Sequence, residues 1–517
     1  MQINNFLESA VQKYPDKEAV WYKDKWMTYA EIEIFSNKVA NYLKEVNVSR
    51  KDRIAILYEN SFDYVIAYFA VLKVGAIEVS INTDTTVETL THVLEDSGAK
   101  AIITSRKYSR FLVPALKKAT ELKEVIIDQE DLSEYEDIGH INQIQLSEIY
   151  ENGEASHPGV RSIDIDIASI AYTAGSTGVP KGVMLSHLNV VSNTRSVVQY
   201  LRLTDEDRIM VVLPFFYIYG KSLMLTHFSV GGSVVLDNRF TFPQVILETM
   251  VKTKVTGFAG VPSTFLILLH RSKVKDFKFE SLRYVTQAGG SMAPSIQKKV
   301  AQVFAPAKLF IMYGSTEAAP RLSYLEPDDL PEKWGSIGKA IPNVELFVVD
   351  QNGRQMPQYI TGEIAARGSN IMAGYWNDLI ETAKVLKNDL YYTGDLGIVD
   401  EDGYFFVVGR SKHIIKVGGF RVSAKEIEEA LLEINEIHEV AVIGVKDDVL
   451  GEAVKAYIVL RDDVYITQDQ IKSVMKSTLP VYKQPKHIEF IDSIPKNKSG
   501  KVLRTELKQQ HLASIEQ

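Results

Sequence analysis

Through the first part of the chain, short β-branched apolar runs alternate with helical patterns, and no other feature restricts the fold as strongly. RIAILYEN from Arg53, FDYVIAYFAVLKVG from Phe62, AIEVSIN from Ala76, TLTHVLEDSGA from Thr89 and KAIITS from Lys100 follow one another closely. Strand-length runs separated by helix-length ones build a parallel sheet covered by helices, because each parallel crossover needs a long return. The rhythm resumes at 208–214, 232–236, 255–261 and 282–288, each run ending near Gly, Pro or a polar cluster. Ligands of open parallel sheets bind beyond such strand ends.

Other segments read differently. The start of the chain, MQINNFLESAVQKYPDKEAV, reads as an amphipathic helix followed by a Pro turn and has no apolar signal core. The most apolar stretch, 64–80, carries Lys73 and Glu78 and is too short and too charged for a membrane span, so a buried helix and strand are expected there. Residues 129–158 are polar and acidic and read as a surface excursion between two α/β units. From 335 to 408, VELFVVDQNGRQM, GEIAARG and YYTGDLGIVDEDGYFFVVGR predict antiparallel hairpins. After Arg410, helical VSAKEIEEALLEIN, strand-like HEVAVIGV and EAVKAYIVL, and helical QIKSVMKSTLP make a compact α+β unit. The expected architecture is α/β: a large N-terminal domain of two α/β units plus a β-rich part (1–409), then a small α+β domain (410–517).

Composition narrows the chemistry. The 517 residues are 45% hydrophobic, enough to bury more than one core. With 58 Lys and Arg against 66 Asp and Glu, the net charge of −8 runs against a nucleic-acid-binding role. The chain has no cysteine, which removes disulfides, thiolate zinc sites, iron–sulfur clusters and Cys nucleophiles. A cytoplasmic enzyme is expected.

The chemistry begins after strand-like ASIAYT, at Thr173-Ala174-Gly175-Ser176-Thr177-Gly178-Val179-Pro180-Lys181-Gly182. Small residues let backbone N–H groups approach an anion, hydroxyls add donors, and Lys supplies a point charge. Pro180 before the Lys and Gly182 after it depart from the Walker pattern, which disfavours a kinase-like or GTPase-like loop. Further motifs follow: QAGGSMAP from Gln287, MYGSTEAAP from Met312, YYTGDLG from Tyr391, GRSKHIIKVGGFRV from Gly409 and PKNKSGKVLR from Pro495. In order and content this series resembles the adenylate-forming superfamily, which includes acyl-CoA synthetases, adenylation domains of peptide synthetases and luciferases of the firefly type.

The resemblance implies a two-step reaction. A carboxylate attacks the α-phosphorus of ATP to give an acyl-adenylate and pyrophosphate, and a thiol of coenzyme A or carrier-protein phosphopantetheine then displaces AMP. Lys501 matches the family lysine that bridges the carboxylate and the α-phosphate, and Glu317 the carboxylate that holds magnesium. Thr173, with the loop through Lys181, would cradle the phosphates. Tyr313 with Gly289, Gly290 and Ser291 corresponds to the adenine slot, and Met312, Gly314, Ser315 and Thr316 surround the nucleotide. Asp395 would accept hydrogen bonds from the ribose hydroxyls, with Arg410 beside it. Lys412 stands at the family's hinge, so that a mobile small domain can withdraw Lys501 and bring Lys416, Gly418 and Gly419 to a thiol tunnel.

The acid pocket implied by the resemblance takes Phe216, Tyr217, Ile218, Tyr219, Ser222, Thr264, Ala288, Met312, Pro320 and Arg321. Its aromatic walls favour an apolar or medium-sized acyl group, although an aromatic run is by itself more often core. Amino-acid-activating relatives place an Asp near Ile218, and this chain has none there. A stand-alone enzyme loading an amino acid such as proline onto a peptidyl carrier protein, and more remotely an ADP-forming ATPase or kinase, remain as alternatives. Arg321 is a candidate to read a second acid group.

Overall fold

The computed structural model describes residues 1–119, 121–128, 138, 141–173, 180–410, 414–418, 420–447, 449–461, 464–496 and 502–515. The first α/β unit is an eight-stranded sheet in which Ile77–Ser80, Arg53–Leu57, Ala99–Thr104 and Glu124–Ile127 run parallel in that spatial order. The second is a nine-stranded sheet with Ser233–Leu236, Arg208–Val211, Gly257–Gly260, Tyr284–Gln287 and Lys308–Tyr313 parallel and adjacent. The N-terminal strand Glu18–Tyr22 pairs in parallel with Ser233–Leu236, so the start of the chain completes the edge of the second sheet.

The helix Phe62–Lys73 is apolar on nearly every side and is buried from Tyr64 to Lys73, with the Ser61 hydroxyl accepting from the Tyr64 N–H as its cap. A helix without a polar face must be covered on all sides. It lies between the two sheets, where Tyr64 packs on Phe215 and Phe69 stacks on Phe228. The two charges that interrupt this apolar stretch are buried and paired: Lys73 Nζ lies 2.6 Å from Glu33, and Glu78 Oε2 lies 2.8 Å from Lys221 Nζ.

Within 129–158 the described residues 142–152 form regular structure in place of a surface excursion. Asn142–Gln145 adds a parallel edge strand to the first sheet, and Leu146–Asn152 is a helix. The apolar signal is thin because an edge strand buries only part of its faces. Residues 129–137, 139 and 140 lie outside the described residues. Farther on, Val344–Val349, Gly362–Gly368, Leu390–Val399 and Phe405–Arg410 form the antiparallel sheet anticipated from the hairpin signals. The C-terminal sheet is built on Ile414–Val417, Phe420–Ser423, Ile437–Asp447, Gly451–Leu460 and His487–Phe490, with Ala424–Leu432 and Gln468–Thr478 as helices. Among the described residues no helix is long and apolar enough to cross a membrane.

Lys221 is a buried electrostatic tie between the α/β units. It reaches from the helix Ile218–Val230 to Glu78 and, at 2.7 Å, to Ser80 Oγ, while Ser169 Oγ donates to Glu78 at 2.5 Å. Burial pushes its ammonium pKa down, and the Glu78 carboxylate opposes that shift. Removing one member of such a pair leaves the other charged and dry, so Lys221→Met should destabilise the protein by about 3–5 kcal/mol. Urea unfolding should show a lower midpoint that the additional change Glu78→Leu partly restores; an unmoved midpoint would contradict this role.

Candidate active site

Arg208–Val211, Gly257–Gly260, Tyr284–Gln287 and Lys308–Tyr313 are adjacent and parallel, so they end on one sheet edge. The segments that follow them, 212–217, 261–264, 288–291 and 314–317, lie side by side there. Two glycines permit the close packing. Gly289 has φ +83°, and a Cβ on it would stand 2.9 Å from the Tyr217 hydroxyl and 3.0 Å from Val261. A Cβ on Gly314 would meet the Pro320 carbonyl at 2.0 Å, so no side chain fits where the 320–321 backbone crosses. The predicted residues Tyr217, Gly289, Gly290, Met312, Gly314, Pro320 and Arg321 are thereby brought into one neighbourhood.

The antiparallel sheet contributes an anionic hub. Asp395 and Arg410 are register partners on neighbouring strands, and Arg410 Nε donates to Asp395 Oδ1 at 2.6 Å. The Tyr313 hydroxyl donates to Oδ2 at 2.7 Å, which fixes the ring at the end of its strand. Burial, with Asp395 beside it, pushes the Tyr313 hydroxyl far above its ordinary pKa, so it remains a donor. A carboxylate offers about four acceptor positions, and these two bonds leave about two for a ligand.

A second cluster joins the phosphate loop to Glu317. The loop's described ends, Thr173 and Lys181, are register partners on neighbouring antiparallel strands. Gly374–Tyr375 adds to that pair as an edge strand, and the Tyr375 hydroxyl donates to Glu317 Oε1 at 2.9 Å. Lys181 Nζ lies over the Tyr375 ring, 5.5 Å from its centroid, and is ion-paired with Glu381. Lys181 first, and Lys384 second, hold the Glu381 carboxyl down to about 2. A depressed carboxylate pKa stabilises the folded state above its ordinary value, and that contribution is lost as the pH falls towards 2. Lys181 is thus already partnered.

Among the described residues no group of three or more His, Cys, Asp or Glu could hold a metal ion alone. Glu317 is a single carboxylate with one oxygen held by Tyr375. That donor set suits magnesium, which keeps water and phosphate oxygens in its shell and takes one or two protein carboxylates.

Other predicted residues have local partners. The Thr264 hydroxyl accepts from the Val261 N–H at 3.2 Å and so caps the helix Pro262–Arg271, and the Ser222 hydroxyl donates to the Tyr219 carbonyl at 2.7 Å. Ser315 Oγ is hydrogen-bonded to the Tyr391 hydroxyl at 3.0 Å, and Ser291 Oγ to Glu429 in the C-terminal unit at 3.3 Å. Ile218 and Ala288 are buried, whereas Phe216 and Thr316 are half-buried. Lys416 and Gly418 sit on the C-terminal sheet, where their N–H groups donate to Glu452 and the Leu450 carbonyl. Ala174, Gly175, Ser176, Thr177, Gly178, Lys412, Gly419 and Lys501 lie outside the described residues.

The sequence reading missed Tyr375, which connects Lys181 to Glu317, and the buried Asn193 and Asn370, which hold the chain next to Arg321. No periodicity marks them; their partners are more than fifty residues away along the chain or on other elements.

Asp395 gives a direct test. Asp395→Ala removes the acceptor of Arg410 and Tyr313 together, and charge-assisted bonds contribute about 1.5–3 kcal/mol each. The KM for ATP should rise at least about tenfold, by the lower of those energies. An ATP KM equal to that of the unchanged enzyme would rule out a nucleotide role.

Comparison with known proteins agrees with this geometry. The model of the AMP-binding enzyme family matches residues 7–376, and that of the AMP-binding enzyme C-terminal domain matches 426–501. The chain is 30% identical to a long-chain-fatty-acid–CoA ligase of Bacillus subtilis (strain 168), covering 98% of this chain and 94% of that protein. The crystal structure of the anthranilate CoA ligase AuaEII with anthranoyl-AMP superposes with a TM-score of 0.92 at 26% identity, covering 100% of this chain and 98% of the other. O-succinylbenzoate coenzyme A synthetase (MenE) from Bacillus subtilis, in complex with ATP and magnesium ion, gives 0.84 at 28% identity, covering 98% and 99%. The chain belongs to the AMP-binding enzyme family of the adenylate-forming superfamily.

Proposed function

We propose that this protein activates a carboxylic acid with ATP and passes the acyl group to the thiol of coenzyme A. It is an AMP-forming acid–thiol ligase. The observation that carries this reading is the Tyr313–Asp395–Arg410 hub at the strand ends, with Lys181 and Glu317 joined nearby through Tyr375.

The difficulty of the first half-reaction is repulsion between a carboxylate and a triphosphate. Asp395 and Arg410 hold the ribose, the Tyr313 ring and the 289–291 backbone take the base, and the 173–181 loop takes the phosphates. Glu317 would hold magnesium, which would supply positive charge to the phosphates. Lys501 bridges the two anions as the carboxylate oxygen bonds to the α-phosphorus and the bond to the bridging oxygen breaks, releasing pyrophosphate. In the second half-reaction the thiol sulfur bonds to the acyl carbon, its proton is lost, and AMP leaves.

Both steps use one face, so the small domain takes two poses about Lys412, the second bringing Lys416, Gly418 and Gly419 inward. A carrier protein as thiol donor and an α-amino acid as substrate find less support. The charge buried beside the pocket, Arg321, is positive, opposite to what an α-ammonium group requires.

Lys501→Ala should abolish acid-dependent ATP–pyrophosphate exchange while leaving thiolysis of a supplied acyl-adenylate by coenzyme A largely intact. Loss of both activities in a folded variant would contradict the two-pose assignment.

A further inference from the structure

Among the described residues, every buried lysine or arginine side chain but one faces a carboxylate. Four lysine and arginine side chains are buried among the described residues: Lys73, Lys221, Arg321 and Lys455. Lys73 pairs with Glu33 at 2.6 Å, Lys221 with Glu78 at 2.8 Å and Lys455 with Glu489 at 2.8 Å. Arg321 is 3% exposed and has no carboxylate within ion-pair distance among the described residues. A desolvated guanidinium without a counter-ion is costly, and such a group is retained where something else supplies the negative charge.

The surroundings of Arg321 place that charge at the acid pocket. Its guanidinium lies over the Tyr219 ring, 4.2 Å from the centroid, and Nε donates to Met312 Sδ at 3.3 Å. Tyr217, whose hydroxyl stands against Gly289, and Tyr200 also feel its charge. None of these neighbours is anionic: burial pushes the Tyr219 hydroxyl up to about 12 and that of Tyr200 higher still.

The mount is rigid. Asn193 Nδ2 donates to the Arg321 carbonyl at 2.9 Å and to that of Ala318 at 3.2 Å. Asn370 Nδ2 donates to the same two carbonyls at 2.7 and 2.9 Å. Two buried amides spent on one turn of backbone fix the origin of the Arg321 side chain, as a preorganised recognition group requires.

We propose that Arg321 neutralises a second carboxylate of the substrate, so that the acid activated here is a dicarboxylic acid. One carboxylate goes to the α-phosphorus, with pyrophosphate leaving as described, while the other remains unreacted against the guanidinium. A planar fork suits a carboxylate because it can donate two parallel bonds. The aromatic walls of Tyr217 and Tyr219 favour a compact or aryl skeleton between the two acid groups. This inference rests on the acid–thiol ligase reading.

The test uses matched acids on the full-length enzyme: glutarate against pentanoate and isophthalate against benzoate. Sites built to pair a polar group discriminate strongly against analogues that lack it, so in at least one pair kcat/KM for pyrophosphate exchange should favour the diacid by about 100-fold or more. Arg321→Gln should shrink that ratio at least about tenfold, and Arg321→Lys, which keeps the charge without the fork, should shrink it less. Thermal melting identifies a variant that fails to fold, in which case Arg321→Lys and the wild-type ratio decide. Calorimetric binding of the same acids, with no ATP turnover, separates the two claims. Diacid binding that depends on Arg321 without exchange would uphold the inference and overturn the ligase reading. Exchange with the monoacids as good as or better than with both diacids would overturn the inference alone, as would equal loss of both acids in a folded Arg321 variant.

Discussion

A carboxylate and a triphosphate repel each other, and the placement of charge in this protein answers that repulsion. In a dry site the repulsion is several times stronger than in water, and so is any fixed charge that opposes it. Several charges are held in pairs: Lys221 with Glu78 ties the α/β units, and Asp395 with Arg410 lies where the antiparallel sheet meets the strand ends. Even Lys181, on the phosphate-loop hairpin, has its own counter-ion in Glu381. A polyphosphate taken up beside Lys181 would compete with a carboxylate already in place.

Each part of the fold delivers a different element of the site. The nine-stranded sheet supplies parallel strand ends, and glycines at 289 and 314 let the segments beyond them interlock. The eight-stranded sheet supplies the hairpin, to which Gly374–Tyr375 adds the tyrosine that meets Glu317. The antiparallel sheet supplies Asp395 and Arg410 in register. Tyrosine is the recurring connector: Tyr313, Tyr375 and Tyr391 each bridge two segments through a hydroxyl, a side chain whose ring packs as core while its tip stays polar.

The alternation of apolar runs was enough to locate the parallel strands, because a strand buried on both faces reads as a continuous β-branched stretch. Strands 53–57 and 77–80 fall within the predicted runs, and 99–104 begins one residue before its own. The edge strand Asn142–Gln145 and the helix after it were illegible, since their half-exposed residues look like loop. The nucleotide motifs were legible as local strings. What joins them was not: the bonds from Tyr375 to Glu317 and from Tyr313 to Asp395 span 58 and 82 residues, a separation that no local pattern encodes. Arg321 could be nominated from its place after MYGSTEAAP, but that it has no counter-ion among the described residues emerges only when the interior is assembled.

The central claim is that the enzyme breaks ATP between the α and β phosphates at the demand of a carboxylate. Phosphorus NMR of the reaction mixture with an accepted acid and coenzyme A reads that bond directly. The account predicts AMP and pyrophosphate in equal amounts, formed only when the acid is present. ADP with orthophosphate, or nucleotide cleavage at the same rate without any acid, would contradict it.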